Sequence, residues 1–152
     1  MIVRIYDLRA HTRGHNSIVC CRPTCADPEP FVPVNCLSFS VDSNSFAAVI
    51  ADGKVMAWDM RTSTVQTVVR KGTSNKNKVE TWTTVQYDNT GTYLAAGGPS
   101  IHVFSVPNAY SLIDTLCGHS VTGLRWGAGR HADLISCSQS STVEMWSAGR
   151  KM

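Results

Sequence analysis

The sequence predicts an all-β fold of repeated four-stranded antiparallel sheets, about three and a half of them in 152 residues. Three observations carry this. Aromatic residues that close a short strand recur as Tyr6, Trp58, Phe104 and Trp146, with separations of 52, 46 and 42 residues. Such spacing is close to the period of about 40 expected for a four-stranded repeat unit. Apolar and polar residues alternate with period two in the short runs between these aromatics, and no long stretch shows a helical period with caps.

Taken in order, the chain begins in mid-unit. Val3-Arg4-Ile5-Tyr6-Asp7 has the aromatic-Asp close of a third strand, without two strands before it, and Ser17–Cys21 suits an outer fourth strand. Pro23, Pro28, Pro30 and Pro33 make the rest of residues 1–33 an irregular loop rich in Pro and Cys. The next unit, 34–70, has an alternating inner strand from Val34 to Phe39 and a turn at Asp42-Ser43-Asn44. Its second strand, Phe46–Ile50, is almost wholly apolar, as expected for a strand buried on both faces. Asp52-Gly53 signals a hairpin, Lys54–Asp59 closes on Trp-Asp, and Thr64–Val69 is the outer strand.

A third unit, 79–117, places Thr81, Thr83 and Val85 on one face of its inner strand and turns at Asp88-Asn89-Thr90-Gly91. Its second, third and outer strands are Tyr93–Gly97, Ile101–Phe104 and Ser111–Leu116. The last unit, 118–147, opens on Gly118-His119 and closes on Trp146. Only Ser-Ala-Gly-Arg-Lys-Met follows, so this unit is expected to lack its outer strand and to end at a natural C-terminus, whereas the start has the look of a truncation.

Composition narrows the function classes. The chain is 43% hydrophobic and 16% charged, with a net charge of +3 that does not by itself imply a nucleic-acid partner. No run approaches the roughly 18 uncharged apolar residues of a membrane helix. No basic segment followed by an apolar one stands at the start, so a secretory signal is not expected. The six cysteines then read as reduced thiols. Cys20, Cys21 and Cys25 lie close together, but no second Cys-x-x-Cys pair answers them, and no metal or cofactor is expected.

The Gly-His opening, four short strands and Trp-Asp closing resemble the blade of the WD40 family, whose members are β-propellers. The resemblance implies a network in which the closing tryptophan lies over a hydrogen-bonded chain of His, Ser or Thr, and Asp. In the last unit these positions are His119, Ser136 and Trp146, with Ser140 where the Asp belongs. In the 34–70 unit they are Asp52 and Trp58, with Ala48 in place of the hydroxyl. These residues are a stability device. They are not a catalytic set, since no G-x-S-x-G nucleophile elbow is present and no catalytic residue is assigned.

A narrower likeness rests on YDNTGTYLAAGGPSIHVF (87–104) and GHSVTGLRWGAGRHADLISCSQSSTVEMW (118–146). These segments resemble the last two blades of the pre-mRNA-processing factor 19 family, which shares the Gly91–Ala95 run followed by Gly97-Gly98. The resemblance implies a nuclear protein-interaction scaffold within a spliceosomal U-box ubiquitin ligase, with inherited roles in splicing, ubiquitination and DNA repair. Its expected partners are components of the spliceosomal Nineteen complex and peptide or ubiquitinated substrates. The U-box that would recruit the conjugating enzyme is not in these residues, and no residue here is assigned to ubiquitin transfer. An unrelated WD40 adaptor is the other reading.

Five basic residues, Arg61, Arg70, Lys71, Lys76 and Lys78, occur from 61 to 78 with no acidic residue among them. Arg70, Lys71, Lys76 and Lys78 lie in the loop entering the third unit. They read either as a contact for an acidic peptide or RNA, or as a solvated loop. Aromatics are not interleaved with them, which disfavours RNA. Finally, a partial ring leaves a sheet face uncovered, so the missing half of the propeller or self-association is expected to cover it.

Overall fold

The computed structural model describes residues 3–6, 17–21, 33–51, 53–62, 64–69, 81–116, 120–128, 133–147 and 150–151. The chain divides into two units, Met1–Pro33 and Val34–Met152. In the first, β1 (Val3–Tyr6) and β2 (Ser17–Cys21) pair antiparallel, Val3 opposite Cys21.

The second unit holds three antiparallel sheets, each with its strands in chain order. The first consists of β3 (Val34–Phe39), β4 (Ser45–Ile50), β5 (Lys54–Asp59) and β6 (Thr64–Val69). The second consists of β7 (Thr84–Tyr87), β8 (Tyr93–Gly97), β9 (Ile101–Ser105) and β10 (Ser111–Leu116). The third consists of β11 (Val121–Trp126), β12 (Leu134–Ser138), β13 (Val143–Ser147) and β14 (Arg150–Lys151). The described residues contain strands and turns but no helix, in agreement with the all-β class read from the sequence.

Two local details differ from expectation. The last sheet does not stop at its third strand, because Arg150 and Lys151 pair with Ser147 and Trp146 to form a two-residue fourth strand. In the second sheet the ladder begins only at Thr84. Trp82, just before it, is the residue buried there, with its ring edge-on to His102 at 4.7 Å, while Thr81 is exposed. Outside a ladder the two-residue alternation no longer dictates which side chain turns inward, and the largest apolar group takes the buried position.

Turn chemistry joins the strands. Asp88 is buried between β7 and β8, where its carboxylate accepts from the backbone N–H of Tyr93 at 2.8 Å and of Thr90 at 3.2 Å. The β4–β5 hairpin needs a left-handed residue, and Gly53, with φ of 87°, supplies it without a Cβ penalty.

The middle sheet is covered on both sides. Val85, Tyr87, Leu94, Ala96 and Phe104 form one cluster with Ala47, Val49, Val55 and Ala57 of the first sheet. On the opposite face, Ala95 and Ile101 cluster with Val121, Trp126, Leu134 and Trp146 of the third. Hydrogen bonds also join the inner strands across the sheets. Asn35 Nδ2 donates to the Trp82 carbonyl at 3.3 Å, and the Tyr87 N–H to Ser38 Oγ at 3.1 Å. Further along, the Val121 N–H donates to the Gly98 carbonyl at 2.7 Å, and Trp126 Nε1 to the Gln86 carbonyl at 3.0 Å.

Gly97 marks the tightest approach between the second and third sheets. A Cβ there would lie 2.9 Å from Thr84 Cγ2, 2.9 Å from Val121 Cγ1 and 3.0 Å from Leu124 Cδ1. The first two are stiff β-branched groups that cannot swing away. Gly97→Ala is therefore expected to destabilise the chain by about 1–3 kcal/mol through overpacking, read from the midpoint of chemical denaturation.

Candidate functional site

The closing aromatics occupy one register position in all three sheets. Trp58 lies opposite Phe46, Phe104 opposite Leu94, and Trp146 opposite Leu134. Two residues further along the neighbouring strand stand Ala48, Ala96 and Ser136, all buried. This position decides whether an indole N–H finds an acceptor.

In the third sheet it does: Trp146 Nε1 donates to Ser136 Oγ at 3.0 Å, and both residues are buried. In the second sheet Phe104 faces Ala96, so there is neither donor nor acceptor. In the first sheet a tryptophan meets an alanine. Trp58 is 2% exposed, stacks on Phe46 at 4.9 Å, and its Nε1 has no hydrogen-bond partner among the described residues. A buried polar group left in this way costs about 1–3 kcal/mol.

Of the other network positions, His119 and Asp52 lie outside the described residues. Ser140, at the Asp position, joins a hydroxyl cluster in the β12–β13 hairpin. Its Oγ is 2.7 Å from Ser138 Oγ and 3.4 Å from Thr142 Oγ1, while Ser138 and Thr142 are themselves 2.7 Å apart. Small hydroxyls thus hold the hairpin.

Arg70, Lys71, Lys76 and Lys78 also lie outside the described residues. Arg61, the fifth basic residue of that region, is exposed and sits 3.6 Å from Asp59. An exposed pair of this kind contributes little to stability. Asp59 is better held by the Arg61 backbone N–H at 2.8 Å, which keeps its carboxyl below the usual range.

Asp42 shows the same logic more strongly. The Ser40 hydroxyl, then the Asn44 backbone N–H and side-chain amide, hold its carboxyl down from 3.8 to about 2. Between the first two sheets, the phenols of Tyr87 and Tyr110 meet at 2.7 Å, and burial pushes both above their ordinary value. No group of three or more His, Cys, Asp or Glu that could hold a metal occurs among the described residues, and no helix is long and apolar enough to cross a membrane.

Sequence reasoning identified the Ser136–Trp146 pair. It did not identify Ser138 and Thr142 as partners of Ser140, although four hydroxyl residues within the five positions 138–142 of a hairpin were a signal for it.

Ser136→Ala is expected to lower stability by about 1–3 kcal/mol, measured by denaturation, because it removes the acceptor of a buried indole N–H. Conversely, Ala48→Ser is expected to add about 1 kcal/mol when residue 58 is Trp and nothing when it is Phe. A double-mutant cycle reads that coupling directly. For Asp42, the lowered folded-state value means its contribution is fully present above pH 3.8 and is lost as pH falls towards about 2. Carboxylate NMR titration should place its midpoint near the lower figure, and Asp42→Asn should flatten the acid limb of the stability profile.

No family model matches this sequence, and no curated protein matches it. Solved structures do. The structure of U3-55K aligns at a TM-score of 0.67 and 20% identity, over 78% of this chain and 37% of that one. The crystal structure of RRP9 WD40 repeats gives 0.67 and 19%, over 78% and 36%. A chain of the mitotic checkpoint complex crystal structure gives 0.62 and 23%, over 74% and 33%. The chain therefore spans little more than a third of the length of the structures it matches. Its three stacked four-stranded sheets have the fold of WD40 propeller blades.

Proposed function

We propose that this chain is a protein-interaction scaffold module, the C-terminal WD40 part of a pre-mRNA-processing factor 19-like ubiquitin ligase acting in the nucleus on pre-mRNA splicing, with roles in DNA repair. The observation that carries the reading is the Gly91–Gly98 stretch, a departure from the usual blade that the factor 19 family shares. Here Gly91 has φ of 74° in the turn after β7, and Gly97 lets the neighbouring sheet close in. The short hairpin that follows is tied by the Gly98 N–H donating to the Ser100 carbonyl at 3.0 Å.

On this reading the chain carries the partner-reading half of such a ligase, and ubiquitin transfer belongs to a U-box. Arg70, Lys71, Lys76 and Lys78 supply the loop that meets an acidic peptide. The test is affinity purification of the tagged chain from nuclear extract with quantitative mass spectrometry. Components of the Nineteen complex should be enriched at least about tenfold over a scrambled-loop control. Enrichment of a different, unrelated assembly would instead assign the chain to another WD40 adaptor.

A further inference from the structure

The tip of the β9–β10 hairpin adopts a backbone that its residues disfavour. The Ser111 N–H donates to the Asn108 carbonyl at 3.0 Å, and the two residues between them, Ala109 and Tyr110, have φ of 52° and 57°. Positive φ at both central residues marks a type I′ turn, which Gly and Asn favour because a Cβ is crowded there. Ser43 and Ser141 are the other non-glycine residues with positive φ among the described residues, and each stands alone with a small polar side chain. Ala109 and Tyr110 are adjacent, and neither has a short polar side chain that bonds the local backbone. A bulky residue such as Tyr110 is an outlier in this region.

What offsets this strain lies outside the turn. The Tyr110 phenol meets the Tyr87 phenol at 2.7 Å, and Tyr110 packs against the core cluster that the first two sheets share. Tyr110 is half-buried, and the Tyr87 it meets is 4% exposed. The Ala109 carbonyl accepts from Gln66 Nε2 at 2.8 Å, and Gln66 belongs to β6 of the first sheet. The root of the hairpin is tied separately, by the Val106 N–H donating to the Thr92 carbonyl at 2.9 Å and by Ser111 pairing with Ser105. Pro107, Asn108 and Ala109 are exposed. The strained residues are thus held between a fixed root and two distant contacts.

We propose that residues 107–110 form a strained strap over the seam between the first two sheets. Gln66 and Tyr87 hold it in its left-handed form. When either hold is lost the strap opens by itself, uncovering the Tyr87 phenol while the sheets stay packed. Strain makes this opening cheap, since relaxing two left-handed residues offsets part of the cost of breaking the holding bonds. The Gln66 hold is exposed at the surface, so a protein that grips the tip or competes for Gln66 acts directly on the seam.

Amide hydrogen exchange of the purified 152-residue chain, resolved by NMR, tests this. The Ser111 N–H reports the turn, and the N–H of residue 87, bonded to Ser38 Oγ at 3.1 Å, reports the packing of the two sheets. Tyr87→Phe keeps the ring and removes only the hydroxyl. It should speed exchange at Ser111 by about tenfold and leave residue 87 unchanged. Gln66→Ala, at an exposed side chain outside the core, should speed Ser111 by about threefold. Ala109→Asn eases the backbone and should slow it by about threefold. If neither Tyr87→Phe nor Gln66→Ala moves Ser111, the turn is held locally and the proposal falls. If Ser111 and residue 87 accelerate together, the whole unit has loosened and no separate strap exists.

Discussion

A four-stranded sheet with apolar side chains on both faces cannot bury either face by itself, and the rest of this structure follows from that constraint. Each sheet needs a neighbour on each side. The second strands are the deepest: β8 of the middle sheet and β4 of the first are both almost wholly buried, on both of their faces. The inner strands lie close enough for Ser38 to accept from the Tyr87 N–H, and for Gly98 and Val121 to bond directly. The outer strands point at water, and β10 is exposed along most of its length.

Small residues set how closely the sheets approach. Ala47, Ala57, Ala95 and Ala96 sit where the faces meet and are 0–3% exposed. Gly97 goes further and leaves no room even for a methyl group. Large residues fill the remaining space from the closing-aromatic positions. The contacts are therefore large against small, which lets two pleated surfaces interlock at interior packing density.

The indole positions show how such a repeat drifts. Where tryptophan and serine occur together, the N–H is satisfied; where phenylalanine and alanine occur together, there is no polar group to satisfy. Trp58 over Ala48 combines one half of each solution and leaves its N–H without a partner among the described residues. The indole still fills its volume and stacks on Phe46, so its burial and stacking offset the missing bond.

The fold class was legible in the chain because its signal is periodic and local. Alternation of two defines each strand, and the aromatic period of about 40 defines the repeat. The pairing of Trp146 with Ser136 was legible for the same reason, since register across a hairpin follows from counting. Three things were decided only by tertiary structure. Trp82 is buried ahead of its strand because a volume next to His102 accepts it, and no period records that volume. The two-residue β14 exists because β13 offers an unpaired edge, which its own sequence of Arg and Lys does not announce. The openness of the Val143–Met145 face depends on what stands beside the last sheet. The same alternation that buries Val55 and Ala57 leaves Val143 and Met145 exposed, because burial is a property of the neighbour as much as of the strand.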